Sequence, residues 1–190
     1  MQAFGSAKAK WESVIASSDG MPFTFDQQGI SNTVIATTRP TFPISDLYMA
    51  GVESVMDGPG RVLGTAGPQY GRYIDGILKP IVGAMNFDTA DIARLEAQGR
   101  WEDIIMHEMG HVLGIGSLWG INNLLQSHDK GMDYVGQNAL RQWQDEIGCS
   151  GSLPIETQGG PGTAGSHWME SCLDGELTVS YTHLTLPTKA

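Results

Sequence analysis

The stretch HEMGH, His107 to His111, constrains this chain more than any other. Two imidazoles four residues apart share one face of an α-helix, about one turn from each other, so both ring nitrogens can reach the same point. The flanking residues agree with a helix. Ile104, Ile105, Val112 and Leu113 fall on apolar positions and predict one from Trp101 to Leu113. Gly114 and Gly116 follow where the chain must turn away, and glycine takes left-handed backbone angles without steric cost.

Neutral imidazole suits zinc, and Glu108, beside the first histidine, is placed to reach a metal-bound water. The metal would lower that water's pKa to about 7 and polarise a carbonyl, while Glu108 takes the proton and hands it to the leaving amine. Such a division of labour is peptide hydrolysis. A structural zinc site would instead fill all four positions with protein ligands and leave Glu108 without a task.

Two histidines do not complete a catalytic site. The compact pattern HExxHxxGxxH would place a third at position 117, where this chain has Ser117. Histidine candidates elsewhere are His128, His167 and His183, and Glu146 or Glu156 would serve in a site of two histidines and a carboxylate. His128 sits in a polar loop. His167 follows the glycine-rich TQGGPGTAGS, which can bring the backbone close to a metal, and precedes Trp168, which could shield the site. The chemistry favours His167 and leaves the carboxylates open.

With 190 residues, 41% of them hydrophobic and no internal repeat, the chain is long enough for one domain with its own core. Its net charge of −10, without a basic cluster, repels a phosphate backbone and argues against nucleic acid as a partner. No apolar run approaches the roughly 20 residues that span a bilayer, and the N-terminus lacks a signal peptide's apolar core. Read literally, the chain would stay in the cytosol. Yet Phe4, Ala7, Trp11, Val14 and Ile15 fall at helical spacing within residues 4–18, an amphipathic helix in need of a sheet, so the expectation is a truncated start.

Strands are expected at residues 32–38, 45–55, 61–66 and 80–88, with a turn at DGPG (57–60) and a Gly/Pro loop after residue 66. Asp88 or Thr89 should cap a helix that ends at Gly99, and a further helix is expected at 135–148. Residues 114–133, and the Gly/Pro-rich stretch after Gly148, read as irregular. Strands first and helices after give an α+β domain. Cys149 and Cys172 suit one disulfide or two free thiols; a bridge would close a loop of about 20 residues, worth roughly 3 kcal/mol.

HEMGHVLGIGSLW, a long insertion, and then PIETQGGPGTAGSHWMES together resemble the leishmanolysin-like zinc endopeptidases, a branch of the metzincins. KWESVI and PIVGAMNFDTADIARLEAQG resemble the bacterial members, so the likeness spans roughly residues 4–177. It implies a metzincin-like zincin with a twisted mixed sheet, an active-site helix and a small loop-rich C-terminal subdomain. It also implies one catalytic zinc on His107, His111 and His167, with Glu108 as general base and acid. GPGRVLGTAGP looks like the metzincin edge strand that pairs with substrate, which gives Leu63, Gly64, Thr65 and Ala66 a main-chain binding role. A protein or peptide substrate, a monomer, and an extracellular or cell-surface location are further implications.

The likeness fails at the end, where a methionine-containing turn should follow residue 177. The sequence VSYTHLTLPT instead can be back-translated to codons that resemble a transposase sequencing adapter, so residues 178–190 are expected to be a non-native tail, and His183 is rejected as a ligand. Three rivals stand: a non-catalytic zinc-stabilised adhesion or interaction module, an ordinary globular domain without a metal, and a thermolysin-like site with a carboxylate as third ligand.

Overall fold

The computed structural model describes residues 2–15 and 43–169. The chain forms two compact units, residues 1–114 and 115–190. The expected strand at 32–38, Cys172 and His183 lie outside the described residues.

The first unit carries helix α1 (Gln2–Val14), strands β1 (Tyr48–Ser54), β2 (Gly64–Ile74) and β3 (Ile77–Asp88), then helices α2 (Thr89–Ala97) and α3 (Trp101–Val112). The sheet order is β1-β3-β2, with β1 parallel and β2 antiparallel to β3. Strand β3 is central, and Ile81, Val82, Ala84, Met85 and Phe87 are buried in succession, as befits a strand covered on both faces. The β2–β3 hairpin turns at Asp75 and Gly76, with φ of 52° and 79°, the Asp-Gly pair that a two-residue hairpin favours.

Strand β2 runs through the segment expected to be a Gly/Pro loop, which corrects that reading. Its register shifts between Pro68 and Gly71. Pro68 lacks an N–H, but a strand at the sheet's edge, with a bulge at that point, tolerates the missing donor.

Helix α3 packs against α1, β2 and β3. Phe4, Phe87 and Trp101 meet edge to face, with centroids 4.9–6.2 Å apart. The Trp11 indole N–H donates to the Met106 carbonyl at 3.0 Å, tying α1 to the middle of α3. The apolar stripe of α1 is shorter than its spacing suggested, because Val14 and Ile15 are 70% and 44% exposed.

The second unit holds a small antiparallel sheet of β4 (Leu125–His128), β5 (Gly131–Tyr134) and β6 (Leu153–Ile155), in that order. All three lie in segments expected to be irregular. Each has only three or four residues, too few for the two-residue alternation to stand out. The helix expected at 135–148 is α4 (Gln137–Arg141), continued by one π-helical turn, Gln142–Glu146, before Gly148 with φ 77°. Trp143 and Leu153 form this unit's core, with Tyr134, Ala139, Leu140, Cys149 and Trp168 packed around them.

Candidate metal centre

Helix α3 is buried on nearly every side over its second half, from His107 through Val112. It approaches the sheet closely because β3 offers Gly83 at the crossing. A Cβ there would stand 2.2 Å from Val112 Cγ1, so any side chain would push the helix away. Glu102 and Asp103 sit in the first turn, where negative charge complements the helix dipole.

His107 and His111 are 3% and 7% exposed, and their Nε2 atoms lie 2.9 Å apart. Two nitrogens on one tetrahedral zinc would be separated by about 3.3 Å. The pair therefore fits a shared ion after an adjustment of a few tenths of an ångström, and its imidazole donors are the chemistry zinc prefers.

Glu108 is 2% exposed, and the loss of hydration pushes its carboxyl up to about 8. The carboxylate lies against the start of β2: a Cβ on Gly64 would meet Oε1 at 2.9 Å, Cδ at 3.1 Å and Cγ at 3.2 Å.

The loop leading into β2 is held by two buried aspartates. Asp88 caps α2 through Ala90 N–H and also accepts from Asp57 N–H and Gly58 N–H, at 2.9–3.1 Å. These bonds hold its carboxyl below the ordinary value of 3.8. Asp91 takes Gly60 N–H with both oxygens and pairs with Arg94. The Asp88 N–H donates to the Leu63 carbonyl at 3.0 Å. In an antiparallel pair successive residues alternate between facing the partner strand and facing away. Leu63 and Thr65 therefore turn their main-chain groups toward β3, and Gly64 and Ala66 turn theirs off the edge. Among the described residues, β2 borders no strand other than β3.

His167 is 3% exposed and belongs to the second unit. Its Nδ1 lies 3.1 Å from the Thr163 carbonyl. A carbonyl only accepts, so Nδ1 carries the proton and Nε2 keeps a lone pair for a metal. The glycine-rich loop is closed at its base by Gly165 N–H to Glu156 O (2.8 Å) and Glu156 N–H to His167 O (2.9 Å). Gly116 makes room for this loop: its φ is 75°, and a Cβ there would lie 2.0 Å from the Ser166 carbonyl oxygen. Among the described residues, His107 and His111 of the first unit and His167 of the second are each buried, and each offers one ring nitrogen that a metal could take.

The other candidates are placed differently. His128 is exposed on the β4–β5 hairpin, 3.2 Å from Asp133, and accepts from Lys130 N–H. Glu156 spends Oε1 on the Gln158 N–H at 2.7 Å. Cys149 is half-buried beside Trp143, while the cysteine expected to bridge it is not among the described residues. Sequence reasoning missed Thr163, the Asp88 and Asp91 clamps, and the fit of Gly64 to Glu108. None of these leaves a local pattern, since each depends on a partner distant in the chain.

Residues 73–188, more than half of the chain, match a family model described as leishmanolysin. The matched span takes in all three buried histidines and Glu108. It begins after α1 and after Leu63–Ala66, and it runs on into the segment set apart as a tail. No individual curated protein matches the chain.

Proposed function

Because the chain belongs to the leishmanolysin family of metallopeptidases, we propose that it is a zinc-dependent endopeptidase of metzincin architecture. The observation that carries this reading is the pair of buried imidazoles with converging Nε2 atoms, and a buried carboxylate at the residue between them in sequence. His107, His111 and His167 would hold the zinc. When bound, zinc supplies a Lewis acid that acidifies water and polarises the scissile carbonyl.

Glu108 accepts the proton from the attacking water on its carboxylate and delivers it to the departing amine, so the proton is returned and the base regenerated. Substrate lies antiparallel to β2, its main chain bonded to the outward-facing groups of Gly64 and Ala66. Leu63 and Thr65 support the strand from within the sheet. His167 is favoured over Glu156 as third ligand, because the Glu156 carboxylate is already engaged in its own turn. An adhesion or interaction module would leave Glu108 idle.

The resemblance implies an extracellular or cell-surface place of action and a monomer; the adapter-like codons, not the family match, which runs to residue 188, are the ground for a working segment of residues 1–177 with residues 178–190 foreign to it. Finding the tail's codons continuous with genomic DNA overturns the last point.

The test is hydrolysis of a peptide library by the zinc-loaded protein. Glu108→Ala is expected to lower kcat by about 10²-fold or more with zinc content unchanged. His167→Ala is expected to lose the metal. Undiminished turnover in Glu108→Ala overturns the mechanism. Zinc retained in His167→Ala but lost in Glu156→Ala or Glu146→Ala establishes the carboxylate alternative.

A further inference from the structure

We propose that Gly64 is a positioning residue, whose missing side chain leaves the space beside the β2 edge that the Glu108 carboxylate occupies. The inference deepens the peptidase reading and rests on it for its catalytic consequence. Its geometry belongs wholly to the first unit. A Cβ on Gly64 would stand 2.9 Å from Glu108 Oε1, closer than folded proteins sustain, and a tight 3.1–3.2 Å from Cδ and Cγ.

Which side yields follows from what holds each. The strand is fixed by its ladder to β3, by the Asp88 N–H on the Leu63 carbonyl, and by the aspartate-clamped loop before it. The carboxylate is the end of a flexible side chain. A methyl group at position 64 therefore moves the carboxylate and leaves the sheet in place. Gly83 and Gly116 differ, because their Cβ positions meet the β-branched stem of Val112 and the backbone of Ser166. Gly64 also has no positive φ, so backbone strain does not account for a glycine there. What the position demands is empty space, and Glu108 fills it.

The experiment is a double-substitution cycle on the zinc-loaded chain, combining Gly64→Ala with Glu108→Asp, whose shorter side chain vacates about one methylene. Gly67→Ala is the control in the same strand, since a Cβ there meets nothing within 4 Å. Gly64→Ala alone is expected to lower kcat by about 10-fold or more, KM and zinc content holding, because a displacement near 1 Å is costly at a reacting centre. In the Glu108→Asp background the same substitution should cost less than about 2-fold, because the two changes share one space. Equal cost in both backgrounds overturns the proposal, as does an equal loss in Gly67→Ala.

Melting temperatures on the same variants separate the two readings. If wild type hydrolyses nothing, the peptidase reading fails. A Gly64→Ala destabilisation relieved by Glu108→Asp still supports the placement of Glu108, and an unrelieved one overturns it.

Discussion

Glu108 shows what burial does to one side chain. Its carboxyl, pushed from 4.5 up to about 8, favours the protonated form in the metal-free fold. A group whose pKa rises on folding contributes stability that is full below its unfolded value and is lost as pH rises through the folded one. Glu108→Gln keeps the shape and cannot ionise. Metal-free Glu108→Gln should therefore melt several degrees above metal-free wild type at about pH 9 and together with it at about pH 4. Thermal melts across that range check this, and a difference that does not vary with pH sinks it. His167 makes the complementary point: one carbonyl, Thr163 O, decides which ring nitrogen remains for a metal.

Among the elements, the loop before His167 is closed at its base by backbone hydrogen bonds. The segment after α3 and the glycine-rich loop before His167 meet where Gly116 has no side chain, 2.0 Å being all that would separate a Cβ from the Ser166 oxygen. A methyl group there must displace backbone and also strain a φ of 75°. Gly116→Ala is expected to weaken zinc binding by about 10-fold or more, as loss of support around a ligand commonly does. Gly120→Ala, with nothing within 4 Å, should leave it unchanged. Competition with a chelating dye measures both, and equal affinities would show that the close approach has no bearing on His167.

For the whole molecule, the consequence of the proposed zinc is thermodynamic, because its ligands are gathered only when the chain is folded. An ion bound by the folded chain and not by the unfolded one adds about 4 kcal/mol at a thousandfold excess over its dissociation constant. Chelation should accordingly lower the melting temperature by many degrees and broaden the transition, and restoring zinc should reverse both. Calorimetry with and without chelator tests this, and an unchanged profile removes the zinc from the proposal.

Much of the site was legible in the sequence, because its most informative part is local. Residues four apart in a helix share a face whatever the remaining chain does, so HEMGH was enough to place His107 and His111 side by side on one helix, with Glu108 next to them. Asp88 as a cap obeys a rule of equally short range. Strand β2 was misjudged because Pro68, Gly67 and Gly71 read as loop residues until an edge position excuses them. The short strands β4 to β6 were missed because their pairing, not their composition, makes them strands. Tertiary structure alone decided that Glu108 lies against Gly64, that Asp88 and Asp91 fasten the loop ahead of it, and that Thr163 orients His167. Each is a contact between segments separated along the chain, and packing chooses such partners where sequence spacing cannot.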